Sequence, residues 1–416
     1  MSPSSAGPDP KNKLLAQPGG SGPGHGRTGA SSSAPAHARS GSAAARPWGS
    51  GRVPPVLVHE IRGGVVESRH RGSIVEVDVD GTVRRVLGDP DVIVNLRSSV
   101  KPFGLVALVE AGGIETFELS PAELAIMAGS HSGEDLHVRT LQAVFRRSGI
   151  SQLMLGCGAA GAPLDALTAS RLARYGESPG PIRHMCSGQH TSLLLLCRIN
   201  GWPLEEYWRP DHPVQRLYSE TVARVFCTSA ALLSISTDAC GVPTYGFPLR
   251  EVAQAFAFLA DPAAVRSTDS RRSLAPALTR VRDAMLACPE MVAGTRDRLD
   301  TSIMKAVPGL AVSKGGAEGL SGFAILTGAR PTRERTGGDG SSRATGVAIK
   351  IEDGGGFDRA RSAASVETLR QVGLLDPAAL RALARYHRPV GLDPRGQPAS
   401  EAVADFQLAP VSELLE

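Results

Sequence analysis

The sequence predicts a mixed α/β fold: strands from the two ends of the chain form an antiparallel sheet, and a helical middle region covers it. Three observations carry this reading. Apolar β-type runs separated by glycine turns occupy 56–87. Similar runs return at 323–326 and 346–351. Between them, from about 150 to 300, apolar stretches such as 191–197 and 252–259 read as helix. Strands flanking a block of helices point to helices laid over an antiparallel sheet.

The elements follow in order. Residues 1–52 are Ser, Gly, Ala, Pro and Arg with almost no bulky apolar side chains. Such a segment buries too little surface to offset chain entropy, so it is expected to be a disordered tail, and the folded domain is expected over 53–416. Its Gly24-His25-Gly26-Arg27-Thr28-Gly29 has the form of a dinucleotide fingerprint. That fingerprint needs a strand before it and a helix after it, and neither is present. Val56-Leu57-Val58, the Gly63-Gly64 turn and Ile74-Val75-Glu76-Val77-Asp78-Val79 then read as a meander. Asp80-Gly81 before Val83 predicts a type I′ hairpin. Ser120-Pro121-Ala122-Glu123 predicts a capping box opening a helix over 124–128. A second helix places Leu136, Leu141, Val144 and Phe145 on one face. The polar, Gly-rich stretch 331–345 predicts a surface loop.

Composition excludes several classes. Of 416 residues, 42% are hydrophobic, enough for a large core. The formal charge of +4 resides in residues 1–50, where Lys11, Lys13, Arg27, Arg39 and Arg46 face Asp9 alone. The remainder is balanced and offers no basic field for nucleic acid. No window approaches the roughly 18 apolar residues of a membrane helix, and no secretory signal is apparent. Six cysteines in this length make no disulfide framework, so reduced thiols in a cytoplasm are expected.

Ser98 and Lys101 stand three apart, on one face of a helix. A lysine takes a serine proton when burial or a neighbouring cation depresses its basicity, and Arg97 is a candidate neighbour. The same spacing also suits a helix-capping serine beside a surface lysine. Ser130-His131-Ser132 follows, then Lys314-Gly315-Gly316. Serine acyl-transferases place a Ser-x-x-Lys, a second serine motif and a later lysine-glycine segment in this order. Ser130 and Lys314 would make a second Ser-Lys pair beside the first, as proton transfer to a leaving amine requires. The glycines after Lys314 would admit a ligand close to the backbone. Cys186-Ser187-Gly188-Gln189-His190 and Asp238-Ala239-Cys240-Gly241 are polar clusters. Two thiolates with a third donor suit zinc, and two buried inert cysteines fit equally well. Gly176-Glu177-Ser178-Pro179-Gly180 has the Gly-x-Ser-x-Gly form, but helix precedes it and prolines follow, so a turn is expected.

These segments, with Val66-Glu67-Ser68-Arg69-His70-Arg71-Gly72, His212-Pro213-Val214-Gln215 and Lys314-Gly315-Gly316-Ala317-Glu318-Gly319, resemble the rhizobial-type L-asparaginase family. The resemblance runs from about Val56 to the strand near Ile351 and on toward the C-terminus. It implies a fold like serine β-lactamases and glutaminases, a homodimer, and hydrolysis of the small amide L-asparagine to aspartate and ammonia. It implies Ser98 as nucleophile, Lys101 as its base and Ser130 with Lys314 as the supporting pair. Arg97, His131, Asp238 and Gly315 would line the substrate. Zinc would sit near Cys186, Cys240 and the position of Gln189, where the family holds a lysine. Gln189 is a departure, since an amide oxygen is a poor zinc ligand. His184-Met185 and Gly158-Ala159-Ala160-Gly161 also depart from the family pattern. Another small amide as substrate, or a binding-only homologue, are the alternatives these departures raise.

Overall fold

The computed structural model describes residues 53–330, 343–354 and 358–411. The 1–52 tail with its glycine motif, and 331–342 of the expected loop, lie outside the described residues. At the loop's far end Thr345 is the first residue of a strand, and its buried hydroxyl donates to Glu76 at 2.9 Å.

Strands β1 (Val56–Arg62) and β2 (Val65–Asp78) meet at Gly63-Gly64. Both glycines have positive φ, 54° and 81°, as a two-residue turn between Arg62 and Val65 requires. The next hairpin, from β2 to β3 (Val83–Leu87), differs from the expected type I′ turn. Only Gly81 is left-handed there, at φ 89°, and Asp78 N–H bonds the Thr82 carbonyl. Asp80 keeps negative φ and accepts from Thr82 N–H at 3.0 Å, so a three-residue loop closed by one left-handed glycine replaces the two-residue form.

The remaining strands are β4 (Ile93–Asn95), β5 (Ser234–Thr237), β6 (Pro243–Pro248), β7 (Ala311–Gly315), β8 (Leu320–Ile325), β9 (Thr345–Ile351), β10 (Val390–Leu392) and β11 (Pro398–Ala404). One eight-stranded sheet runs β10-β11-β1-β2-β9-β8-β7, with β3 also pairing β2. Its pairings are antiparallel, for example Val77↔Gly346 and Lys314↔Gly322. This is the expected sheet of N- and C-terminal strands. Within the mostly helical middle of the chain, β5 and β6 are strands that pair with β4 in a second, three-stranded sheet. Prolines at both ends of β6 and Gly246 within it hid that strand.

The centre of the large sheet, β7, β8, β9 and the second half of β2, is buried on both faces. Along β9, Val347, Ile349 and Ile351 enter one apolar cluster, while Ala348 enters the other. Helix Leu249–Ala260 lies on β2, β8 and β9. It approaches closely because Gly322 and Gly346 lack side chains: a Cβ at Gly346 would collide with the Ala253 carbonyl, and one at Gly322 with the Phe256 ring. Helix Arg359–Gln371 packs with β1 and β11 and supplies Ala360, Ala363, Val366 and Leu369 to the second cluster.

The capping box forms as expected. Ser120 N–H bonds Glu123 Oε2 at 2.8 Å and opens helix Pro121–Ala128. Leu141, Val144 and Phe145 are buried on helix Asp135–Ser148, whereas Leu136 is only half-buried. The site residues sit at the ends of these elements.

Candidate active site

A 3-10 turn, Arg97–Val100, leads into the short helix Lys101–Gly104. Arg97 has φ 48°, a left-handed conformation that costs a non-glycine residue of order 1–2 kcal/mol. Its N–H bonds Thr244 Oγ1 at 2.9 Å and its Nε bonds Asp238 Oδ1 at 2.5 Å, tying the turn to the second sheet. The Arg97 guanidinium therefore faces Asp238 rather than Lys101. The cations that face Lys314 are Lys101 and Arg298.

Lys101 is 1% exposed and Lys314, on β7, is 0% exposed. Ser130, in the loop after helix Pro121–Ala128, lies between them. Its Oγ is 3.1 Å from Lys101 Nζ and 3.0 Å from Lys314 Nζ. Lys101 has two further acceptors, the Gly129 carbonyl at 3.0 Å and Cys186 Sγ at 3.2 Å. Three acceptors match the three hydrogens of an ammonium. Lys314 has one further acceptor, the Gly315 carbonyl at 2.5 Å. Burial pulls Lys314 down to about 7, with Asp300 opposing and the Lys101 charge assisting. A neutral Lys314 offers a lone pair to the Ser130 hydroxyl. The polarity then runs from Lys101 N–H to Ser130 O–H to Lys314 N.

Counter-charges flank the pair. The hydrogen bond from Cys240 and the Lys101 charge hold the Cys186 thiol well below the usual thiol range, against burial. Cys240 is pushed up in turn by its bond to Cys186. Burial pushes Asp300 up, and the charges of Lys314 and Arg361 outweigh it, so Asp300 ends below the usual carboxylate range.

Ser98 is 8% exposed, and its hydroxyl makes no hydrogen bond among the described residues. The turn places it three residues before Lys101. The structure thus brings Lys101, Ser130 and Lys314 into one chain of hydrogen bonds and leaves Ser98 beside it with a free hydroxyl.

Other expected residues are differently engaged. His131 is fully buried, with Nε2 2.9 Å from Ser187 Oγ and Nδ1 accepting from Gly133 N–H at 3.2 Å. Burial holds it well below the ordinary histidine range, so both nitrogens of a neutral ring serve the loop and none remains for a ligand. The space over Gly315 holds Arg361, not an open approach: a Cβ there would collide with its Nη1. The Gly315 N–H is taken by Asp300 Oδ2 at 3.0 Å. The Gly-x-Ser-x-Gly segment is a loop after helix Ala166–Arg174, as expected.

All six cysteines are free thiols. The zinc expectation meets a donor set that does not fit. Gln189 Nε2 donates to the Tyr218 hydroxyl at 3.1 Å, and its Oε1 is buried with no partner among the described residues. Cys186 already accepts from Lys101. No cluster of three His, Cys, Asp or Glu side chains among the described residues could hold a metal, and a four-coordinate zinc needs more than two thiols.

Sequence reasoning missed Asp300 and Arg298. Arg298 Nη2 donates to the Ser130 carbonyl at 2.9 Å, and Asp300 accepts from Ser313 Oγ at 2.7 Å. Asp300 in the first turn of a helix reads as ordinary dipole compensation, which concealed it.

The match to the model of the L-asparaginase II family extends over residues 58–404. The chain belongs to the L-asparaginase II family. It is a hydrolase acting on amides, and the serine-lysine constellation lies inside the matched region. Among solved structures, the chain is similar to a Bacillus glutaminase crystallised in 4.3 M NaCl, at 12% identity over 73% of this chain and 91% of that one, with a TM-score of 0.35. It is also similar to the protein Mglu, at 15% identity over 79% of this chain and 74% of that one, with a TM-score of 0.33. No curated protein matches this chain. The assignment rests on the family match. No helix among the described residues is long and apolar enough to cross a membrane.

Proposed function

We propose that this family member hydrolyses the side-chain amide of L-asparagine to aspartate and ammonia, with Ser98 as nucleophile and Lys101, Ser130 and Lys314 as one proton-transfer chain. The observation that carries the reading is the Ser130 hydroxyl shared by two buried amines at 3.1 and 3.0 Å. Such an arrangement moves a proton between two nitrogens without exposing either to water.

The cycle opens with Lys101 as ammonium and Lys314 neutral. Ser130 gives its proton to Lys314 and takes one from Lys101. Neutral Lys101 then accepts the Ser98 proton as Oγ attacks the amide carbon. When the C–N bond breaks, the Lys314 proton returns through Ser130 to the departing nitrogen, and ammonia leaves. A water molecule attacks the resulting ester and gives its proton through Ser130 to Lys314. Ser98 recovers a proton from Lys101, the relay resets, and aspartate departs. Water is consumed and no other reactant is needed. Zinc, which the family resemblance implied, has no step here because the residues at Cys186, Cys240 and Gln189 do not fit it.

A second reading takes Ser130 as the acylated serine, favoured by its direct contact with both amines. Asparagine is the proposed substrate because the matched family is described by that activity; Asp238 and Arg97 border the turn that carries Ser98. We also propose a cytoplasmic homodimer. The six free thiols accord with a reducing compartment, and light scattering of the purified chain tests the dimer.

The test is ammonia release from L-asparagine beside L-glutamine. A rate on asparagine that exceeds the rate on glutamine supports the reading. No release from asparagine, with release from another small amide, overturns the substrate and keeps the reaction class.

A further inference from the structure

The start of helix Leu299–Ala306 reaches both walls of the site. Arg298, at its N-cap, donates from Nη2 to the Ser130 carbonyl at 2.9 Å. Asp300, one position into the helix, is 8% exposed and meets β7 at two points. Its Oδ1 accepts from Ser313 Oγ at 2.7 Å, and its Oδ2 accepts from Gly315 N–H at 3.0 Å. These two bonds bracket Lys314. β7 is the end strand of the sheet, so an outward-facing N–H there has no strand partner, and the carboxylate supplies one. Arg361 fills the space over Gly315 beside the same carboxylate. One short segment therefore holds the serine through Arg298 and the strand of the lysine through Asp300.

We propose that Asp300 is a positioning residue for amide hydrolysis: together with Arg298 it clamps β7 against the Ser130 loop and fixes the Lys314–Ser130 contact. This rests on the reading above that the contact is part of the proton chain. Neither residue touches substrate in this account. Their work is to hold a 3.0 Å separation between two groups on different elements, and a displacement of about 1 Å costs on the order of 10²-fold in rate. Asp300 adds an electrostatic effect. Lys314 faces Asp300, Lys101, Cys186 and Arg298, and of these Asp300 does most to favour its protonated form.

The experiment compares the full chain with Asp300→Asn, Asp300→Glu and Ser313→Ala. Three quantities are read: kcat and KM for ammonia release, the pH profile of kcat/KM, and the Lys314–Ser130 distance in crystal structures. Asp300→Asn is expected to lower kcat by about 10²-fold with little change in KM, and to shift the acidic limb to lower pH because the charge favouring protonated Lys314 is gone. Ser313→Ala keeps the charge and one bond, so its limb is expected to stay in place with a smaller loss. Asp300→Glu keeps the charge and displaces the carboxylate; loss of kcat with an unmoved limb is expected, and it decides the matter if the Asn variant does not fold. Wild-type kcat in Asp300→Glu, or a rate loss in Asp300→Asn that tracks thermal stability with the limb unmoved, overturns the clamp. If the wild-type chain releases no ammonia from any amide, the functional reading fails by itself. The clamp is then judged by the distance, which is expected to lengthen beyond hydrogen bonding in Asp300→Asn; an unchanged distance overturns it.

Discussion

Lys314 Nζ lies 3.0 Å from Ser130 Oγ, inside a site where Lys314 has no exposed surface. Burial draws Lys314 to about 7, against Asp300 and with the charge of Lys101. The proposed cycle uses its neutral form to open the relay. Activity is therefore expected to rise with pH through about 7, and to fall about tenfold per unit below that. Lys314→Met roughly keeps volume and removes the basic nitrogen. It is expected to lose 10²–10⁴-fold in kcat, a range of about that size being usual for one proton-transfer group. A pH–rate profile of both proteins checks this; an acidic limb that persists in residual Lys314→Met activity assigns the limb elsewhere.

The free hydroxyl of Ser98 and the doubly bonded hydroxyl of Ser130 have different expected fates. Rapid acid quench with mass spectrometry is expected to find the aspartyl ester on Ser98, and none in Ser98→Ala. Ser130→Ala is expected to retain slow acylation of Ser98. An ester on Ser130 replaces the first reading with the second.

Gln189 is bonded to Tyr218 and Cys186 to Lys101. Ammonia release is therefore expected to be insensitive to chelation, and the purified chain to carry substoichiometric zinc by elemental analysis. Stoichiometric zinc with chelator-sensitive turnover contradicts this account of the donor set.

Gly346 lets helix Leu249–Ala260 lie on the sheet. Gly346→Ala places a methyl against the Ala253 carbonyl. Overpacking of this kind costs about 1–3 kcal/mol, more where backbone must move. A shift of the denaturation midpoint to lower urea is expected; an unchanged midpoint contradicts the close approach.

Much of this was legible in the sequence, for identifiable reasons. The grouping of Lys101, Ser130 and Lys314 was legible because a Ser-x-x-Lys is a local pattern and the later motifs keep their order. The terminal strands were visible wherever turns punctuate them, as at Gly63-Gly64. β7 was invisible because both faces are buried, which removes the alternation. β6 was hidden by its prolines. The roles of Asp300, Arg298 and Cys186 depend on contacts across 15, 168 and 85 positions of sequence, and no local pattern announces those. Gly315 and His131 were singled out by their neighbours in sequence, while the contacts their own atoms make, to Asp300, Arg361, Ser187 and Gly133, lie outside any local pattern.

The most direct test of the central claim is the rate of ammonia release from L-asparagine by the wild-type chain and by Ser130→Ala at pH 8. The account predicts turnover by the wild type and a loss of about 10²–10⁴-fold in the variant, with its fold retained by circular dichroism. A Ser130→Ala protein that keeps most of the wild-type rate would contradict a proton path running between Lys101 and Lys314 through that hydroxyl.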